Sequence, residues 1–351
     1  MLSVGLVGLP NAGKSSLFNL ITKNTVPVAN FPFCTIDPTD GTVAVHDPRL
    51  EKLAAMANAE KTIYANIEFK DIAGLVKGAS QGAGLGNQFL SHIRECDMIL
   101  MVLRCFEDDN IIHVENRVNP GEDEEILVME LTMADQSMLE KMMTRLEKDL
   151  KTSKDVLASQ KINLAQELLQ AVVNLQPANT VLSPANADKD LIKWRKGLNL
   201  LTDKPIMRLC NVSLDTANFE YATDFELDIA GELALADMSI EERIELGVSP
   251  ESGLDKLIKK CFETLNLSTY LTVGEKEARA WTFTNGMLAP ECAGKIHTDF
   301  EKKFIKASVC KYKDFVELGG WKGVTAGGKL NLAGKDYPML DGDIVEFIIG
   351  N

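Results

Sequence analysis

The chain has 351 residues, room for about two to three domains of 100–200 residues each. With 45% apolar and 25% charged residues it can bury full-sized cores, which excludes a disordered chain, and no apolar run nears the roughly 18 residues that span a bilayer. Against 37 Lys and Arg stand 51 Asp and Glu, a net charge of −14, so the chain as a whole is a poor non-specific binder of nucleic acid and any RNA contact must come from a local basic patch.

The amino-terminal Met1-Leu2-Ser3-Val4-Gly5 has no basic stretch and reads as the start of a strand, not as a signal peptide. Strands are expected at residues 3–8, 65–70 and 98–106, the last a near-continuous apolar run of the kind a parallel strand covered on both faces requires. Helical patterns lie between them at 14–22 and 85–95. This β-α-β rhythm predicts an α/β fold with a doubly wound sheet. From Glu122 the pattern changes. Leu139, Met142, Leu146 and Leu150 form one stripe and Leu164, Leu168 and Val172 a second, which predicts an antiparallel helical pair over 122–175 with a loop ending near Pro184. Met133, Met138, Met142 and Met143 read as filling between those helices. Strand character returns at 205–212, so the helices are an insertion. After Thr269 short runs alternate with Gly and Pro, at 280–284, 307–309 and 343–349, and predict a small separate α+β domain. The predicted division is 1–121 with 198–267, then 122–197, then 268–351. The seven cysteines, at 34, 96, 105, 210, 261, 292 and 310, are scattered and hold no Cys-x-x-Cys, which argues against a disulfide framework or zinc site and for a reducing cytoplasm.

Gly8-Leu9-Pro10-Asn11-Ala12-Gly13-Lys14-Ser15 fits G-x-x-x-x-G-K-[ST], and it follows a predicted strand and opens a predicted helix, the context that gives the pattern meaning. Gly8 and Gly13 let the backbone turn close to a polyphosphate. The amides from Asn11, Ala12 and Gly13 to Lys14, Ser15 and Ser16 make an anion nest at a helix N-terminus. Lys14 is expected on the β/γ-phosphates and the Ser15 hydroxyl on Mg²⁺. Asp71-Ile72-Ala73-Gly74 follows the second strand. Asp71 is the expected water-mediated Mg²⁺ partner and the Gly74 amide the γ-phosphate sensor. Between the two motifs Thr35 is the natural second Mg²⁺ hydroxyl, with Cys34 beside it.

Two features depart from a small GTPase. The Gln that orients the attacking water there is replaced by Leu75, which cannot do so. His113, just past the third strand, is a candidate to polarise that water, or else a structural histidine. Asn-Lys-x-Asp, the usual guanine reader, does not occur. The strand that should carry it ends in Asn211-Val212-Ser213-Leu214. Asn211 can tie loops and meet the base, whereas Leu214 offers guanine no carboxylate, so the chemistry leans to ATP with backbone groups of Val212 at the adenine edge. Asp215 keeps a GTP reading open.

These stretches resemble the Obg-like ATPases, the YchF group of P-loop proteins: GLVGLPNAGKSS, NFPFCTIDP, DIAGLVKGASQGAGLGNQFLSHI, RCFEDDNIIHV, ARAWTF and AGKIHTDFEKKFIKA, in the family's order over most of the chain. The resemblance implies a P-loop NTPase domain, an inserted helical coiled-coil domain and a C-terminal TGS domain of β-grasp type. It also implies Mg²⁺-dependent hydrolysis of ATP in preference to GTP, and ribosome association. An apolar residue at position 75 is the family's own feature, and a histidine in its NIIHV segment, here His113, is a proposed catalytic group. Leu214 departs from the Glu that ends the family's fourth motif. The span from 211 to about 232 looks short for the helix and strand carried there.

Lys141, Arg145, Lys148 and Lys151 fall on one helical face, a phosphate-tracking stripe if it meets ribosomal RNA and otherwise a solvated face. Six lysines against two acids between Lys295 and Lys313, with Lys302, Lys303 and Lys306 at helical spacing, make a second patch. The expectation is a cytoplasmic, monomeric ATPase without membrane contact that regulates translation or stress responses, its partner the ribosome's large subunit and RNA. A GTPase switch, a nucleotide-binding scaffold with negligible turnover and an RNA-binding module are the alternatives.

Overall fold

The computed structural model describes residues 2–23, 40–72, 85–108, 111, 113–114, 117–152, 156–183, 188–213, 221–249 and 251–350. Its strands in chain order are β1 (Ser3–Val7), β2 (Asp40–Val45), β3 (Thr62–Ile63), β4 (Ala65–Asp71), β5 (Met98–Arg104), β6 (Ile206–Asn211), β7 (Phe225–Leu227), β8 (Leu267–Val273), β9 (Ala278–Thr284), β10 (Phe304–Lys311), β11 (Asn331–Ala333) and β12 (Asp343–Ile349). The chain divides into two compact units, Leu2–Gly41 with Glu68–Leu254, and Thr42–Ile67 with Asp255–Asn351.

In the first unit β4, β1, β5, β6 and β7 lie side by side in that order, all parallel. Every residue of β1 and β5 is buried, as the apolar runs SVGLV and MILMVLR demand of strands covered on both faces. The register sets Leu6 opposite Asp71 and Arg104 opposite Asn211, so the chemistry-bearing residues collect at one edge of the sheet. That is the carboxyl edge, where open parallel sheets bind ligands.

The expected insertion consists of helices Pro120–Thr152, Val156–Val173 and Lys189–Gly197 between β5 and β6. Leu127, Leu131 and Ala134 share a core with Val7, Ile99 and Met101 of the sheet. Farther out Leu139 packs with Leu164, Leu168 and Val172, and Met143 with Ile162 and Ala165, so both sequence stripes face each other. The fully buried Asp135 fastens the exit of the insertion. Its carboxylate accepts from the amides of Leu201 (2.9 Å) and Thr202 (2.8 Å), from Thr202 Oγ1 (2.8 Å) and from Arg94 (3.2 Å).

In the second unit the order is β11-β10-β12-β8-β9-β3, with β8–β9 and β10–β12 antiparallel and β12 parallel to β8. Tyr270, Phe283, Phe304 and Val345 form its core with Cys292 and Ala293 of helix Ala289–Ile296, and the Tyr270 hydroxyl donates to the Cys292 carbonyl at 2.9 Å. Helix Pro48–Ala57 also belongs here. Asp47 caps it, accepting from the Arg49 amide at 2.9 Å, and a proline opens its first turn. One expectation is corrected. Lys302, Lys303 and Lys306 do not share a helical face, because helix Thr298–Lys302 stops there and β10 begins at Phe304. Burying Phe304 and Ala307–Cys310 against β12 requires extended backbone.

Candidate functional site

The loop after β1 is shaped by what lies behind it. A Cβ on Gly8 would sit 2.5 Å from the Val102 carbonyl oxygen of β5. Gly13 has φ +105°, and a Cβ there would meet Asn211 Nδ2 at 2.3 Å. Both positions therefore admit only glycine. The Ala12 amide donates to the Leu9 carbonyl at 3.3 Å and the Leu17 amide to Gly13 at 2.9 Å, so the loop runs directly into helix Lys14–Lys23. From β6 the buried Asn211 donates Nδ2 to the Ala12 carbonyl at 3.1 Å, clamping the loop to the sheet edge.

Lys14 is only 6% exposed. Its ammonium donates to the carbonyls of Gly8 (3.0 Å) and Leu9 (2.8 Å). Burial lowers its pKa from 10.5 to about 8, and the Asp71 carboxylate opposes that fall. A partly desolvated ammonium held by two neutral carbonyls gains strongly from an anion.

Beside the loop opens a cavity of about 510 Å³. Asn11, Gly13, Lys14, Ser15 and Ser16 line one side, and Asn211, Val212 and Ser213 its floor. Phe106, Glu107, Asp108 and Ile111 come from the segment after β5, and Ile229, Ala230 and Leu233 from helix Ile229–Leu235. The geometry thus pairs a cationic amide-rich end with an apolar slot.

Of the predicted site residues, Asn11, Gly13, Lys14, Ser15, Ser16, Asn211 and Val212 converge on this cavity. Gly8 and the buried Ala12 build the loop from behind, and Asp71 lies close enough to Lys14 to act on its charge. Thr35, Gly74, Leu75 and Leu214 fall outside the described residues. His113 does not line the cavity. It is buried, with Nε2 2.9 Å from Asp123 Oδ2 on the first inserted helix. The expectation for Val212 is corrected in part. Its amide donates to the Leu227 carbonyl at 3.0 Å, so that N–H is not offered to a base.

A divalent ion suits the donors present. Among the described residues no cluster of three or more His, Cys, Asp or Glu exists. Mg²⁺ beside a polyphosphate needs few protein ligands, since phosphate and water oxygens complete its shell. The exposed Ser15 hydroxyl at the helix start and the Asp71 carboxylate beside Lys14 are hard oxygen donors of that kind.

Comparison with known proteins finds two family models that match this chain. Residues 3–144 match the family model described as 50S ribosome-binding GTPase, and residues 267–349 match one described as Protein of unknown function (DUF933). The chain is 45% identical over 366 residues to the Ribosome-binding ATPase YchF of Bacillus subtilis, covering 99% of this chain and 98% of that one. It is 43% identical to the protein of that name from Escherichia coli O157:H7, covering 98% of each. The chain belongs to the YchF family. The solved YchF GTPase of Schizosaccharomyces pombe superposes with a TM-score of 0.82 at 35% identity, covering 99% of this chain and 97% of that one.

Sequence reasoning missed the apolar slot of this YchF-family chain. Ile229, Ala230 and Leu233 lie in no motif, and Phe106 and Ile111, although within RCFEDDNIIHV, carry no chemistry that marks them as cavity lining. One signal was present: Asp228 before Ile229 is a helix N-cap, its carboxylate accepting from the Gly231 amide at 2.8 Å. The span from 211 to about 232 looks short for the helix and strand carried there in the family, yet the three-residue β7 and the start of helix Ile229–Leu235 lie within it.

Proposed function

We propose that this chain is a Mg²⁺-dependent ATPase, accepting GTP less well, that works as a nucleotide-switched, ribosome-associated regulator of translation or stress responses in the cytoplasm. The observation that carries the reading is the buried Lys14 ammonium inside a glycine-shaped loop at the carboxyl edge of a parallel sheet. In this reading Lys14 leaves the Gly8 and Leu9 carbonyls for the β/γ-phosphates, and the amides of Asn11 to Ser16 hold the chain of phosphates in line. Ser15, Thr35 and Asp71 would hold Mg²⁺, which would neutralise charge on the phosphate oxygens. Gly74 would sense the γ-phosphate, and Leu75, standing where small GTPases carry a Gln, would not orient water. His113 is supported by its place in the chain, two residues after the cavity-lining Ile111. Its pairing with Asp123 means that it reaches water only once that pair opens.

The division into a P-loop domain (1–121 with 198–267), an inserted coiled-coil domain (122–197) and a TGS-like domain (268–351) belongs to the same reading, as does a monomeric state. Among the described residues no helix is long and apolar enough to cross a membrane. Contact with the large ribosomal subunit and its RNA is assigned to the exposed Lys141, Arg145 and Lys148 and to the lysines around Lys302. It is supported by the names of the relatives and by the family model over residues 3–144.

A GTP-preferring switch is favoured by one observation, the two carboxylates Glu107 and Asp108 lining the same cavity, which could accept from guanine. Phosphate release from ATP and from GTP, with and without ribosomes, separates the two. Faster turnover of GTP at equal concentration would overturn the ATP assignment. Release no different from that of Lys14→Ala would leave a scaffold without catalysis.

A further inference from the structure

Arg104 is the bulkiest fully buried side chain among the described residues. A desolvated cation is costly unless its donors are satisfied. Here Nε donates to the Phe106 carbonyl (3.1 Å), Nη1 to Ile111 (2.9 Å) and Nη2 to Asp108 (3.3 Å). The guanidinium also lies over the Phe106 ring, 4.7 Å from its centroid. All three carbonyls belong to the segment whose side chains Phe106, Glu107, Asp108 and Ile111 form one wall of the nucleotide cavity. The carbonyls of Phe106, Asp108 and Ile111 thus converge on the guanidinium, and each side fixes the other. No other residue type fits, because only arginine presents donors in a rigid planar fork; lysine offers a single point of charge. Arg104 is also paired in register with Asn211 on the neighbouring strand. Two adjacent strand ends thus divide the work. Asn211 holds the phosphate loop, and Arg104 holds the wall away from it.

We infer that Arg104 is a positioning residue for the nucleoside end of the bound nucleotide, acting through the cavity-lining Phe106, Asp108 and Ile111 and not on the phosphates. The inference rests on the phosphate-loop reading above. The nucleoside meets the wall that Arg104 shapes, while the triphosphate meets the cradle built by Gly8 to Ser16. Loss of the guanidinium should therefore weaken ATP binding and spare binding of a bare polyphosphate.

The test is calorimetric titration of the full chain with ATP and, separately, with inorganic tripolyphosphate, both with Mg²⁺, for the natural protein, Arg104→Lys and Arg104→Met. The expected result is a loss of ATP affinity of about ten-fold in Arg104→Met and less in Arg104→Lys, with tripolyphosphate affinity held within about two-fold in both. Unchanged ATP affinity in the variants, or a parallel loss of both ligands, overturns the inference. If Arg104→Met fails to fold, the same split is read on Arg104→Lys, which keeps the charge; failure of both to fold makes Arg104 a purely structural residue and also overturns it. A natural protein that binds neither ligand refutes the phosphate-loop reading itself, a result distinguishable from all of these.

Discussion

Lys14 should take up a proton when ATP binds. Its ammonium is 6% exposed and rests on two neutral carbonyls, and burial brings its pKa to about 8. From the ordinary 10.5 that fall corresponds to about 3 kcal/mol at 1.36 kcal/mol per pH unit. The sign follows from linkage: a lysine pKa depressed by folding means that the charged form costs stability. The cost is fully present below about pH 8 and is relieved as pH rises from 8 towards 10.5. A triphosphate replaces the carbonyls with formal negative charge and restores the ammonium. At pH 8 about half of the free sites carry a neutral Lys14 and at pH 9 about nine-tenths, so ATP binding should absorb about 0.5 and 0.9 proton respectively. Calorimetry in buffers of different ionisation enthalpy reads this directly, as the slope of observed heat against buffer heat. ATP affinity should fall as pH rises above 8. Uptake below about 0.1 proton at both pH values would refute the argument, because Lys14 would then already be fully charged in the free protein.

Asp135→Ala removes an acceptor of four hydrogen bonds from a fully buried site and leaves Arg94 without its carboxylate. A loss of about 3–5 kcal/mol is expected in urea unfolding, and a loss under about 1 kcal/mol would show that the anchor is dispensable. Gly13→Ala places a Cβ 2.3 Å from Asn211 Nδ2 at a φ of +105°, so it should break the clamp on Ala12 and cut ATP affinity by at least about ten-fold, read by titration.

The phosphate end of the site was legible in the sequence because its chemistry is carried by the backbone. A glycine at 8 and at 13 records a close approach that no side chain survives, and the lysine after Gly13 marks a helix start, where an anion would be favoured. The sheet was legible because β1 and β5 are near-continuous apolar runs, broken only by Ser3 and Arg104 at their ends. The nucleoside end was not, because it is made of ordinary apolar residues brought together from three distant stretches. Phe106 and Ile229 have no chemistry that sets them apart from core residues, and only the fold places them on a cavity wall. Hydrogen-bond partners were equally hidden. Nothing in the sequence says that the Val212 amide is taken by Leu227, or that three carbonyls after β5 converge on Arg104. Tertiary structure likewise overrode the lysine spacing near 303, where burying Phe304 and Ala307 in a strand outweighs a helical pattern of charge.

The change of sequence pattern near 122 does not coincide with a break in packing, and the reason lies in one helix. Leu85–Glu95 precedes β5, and its last turn is tied to both stalks of the insertion. Arg94 donates to the Ala134 carbonyl (3.2 Å) and to Asp135 on the entering helix, and to the Asn199 carbonyl (3.1 Å) on the leaving side. Lys204, just before β6, donates to the Arg94 carbonyl at 2.8 Å and to that of Cys96, satisfying acceptors that a helix end leaves open. Beneath these ties Leu127 and Leu131 lie in the core of the sheet beside Ile93 of the same helix. Close-packed cores transmit displacement because they hold no slack to absorb it. A shift of helix Leu85–Glu95 must therefore move both ends of the insertion together or break several hydrogen bonds at once.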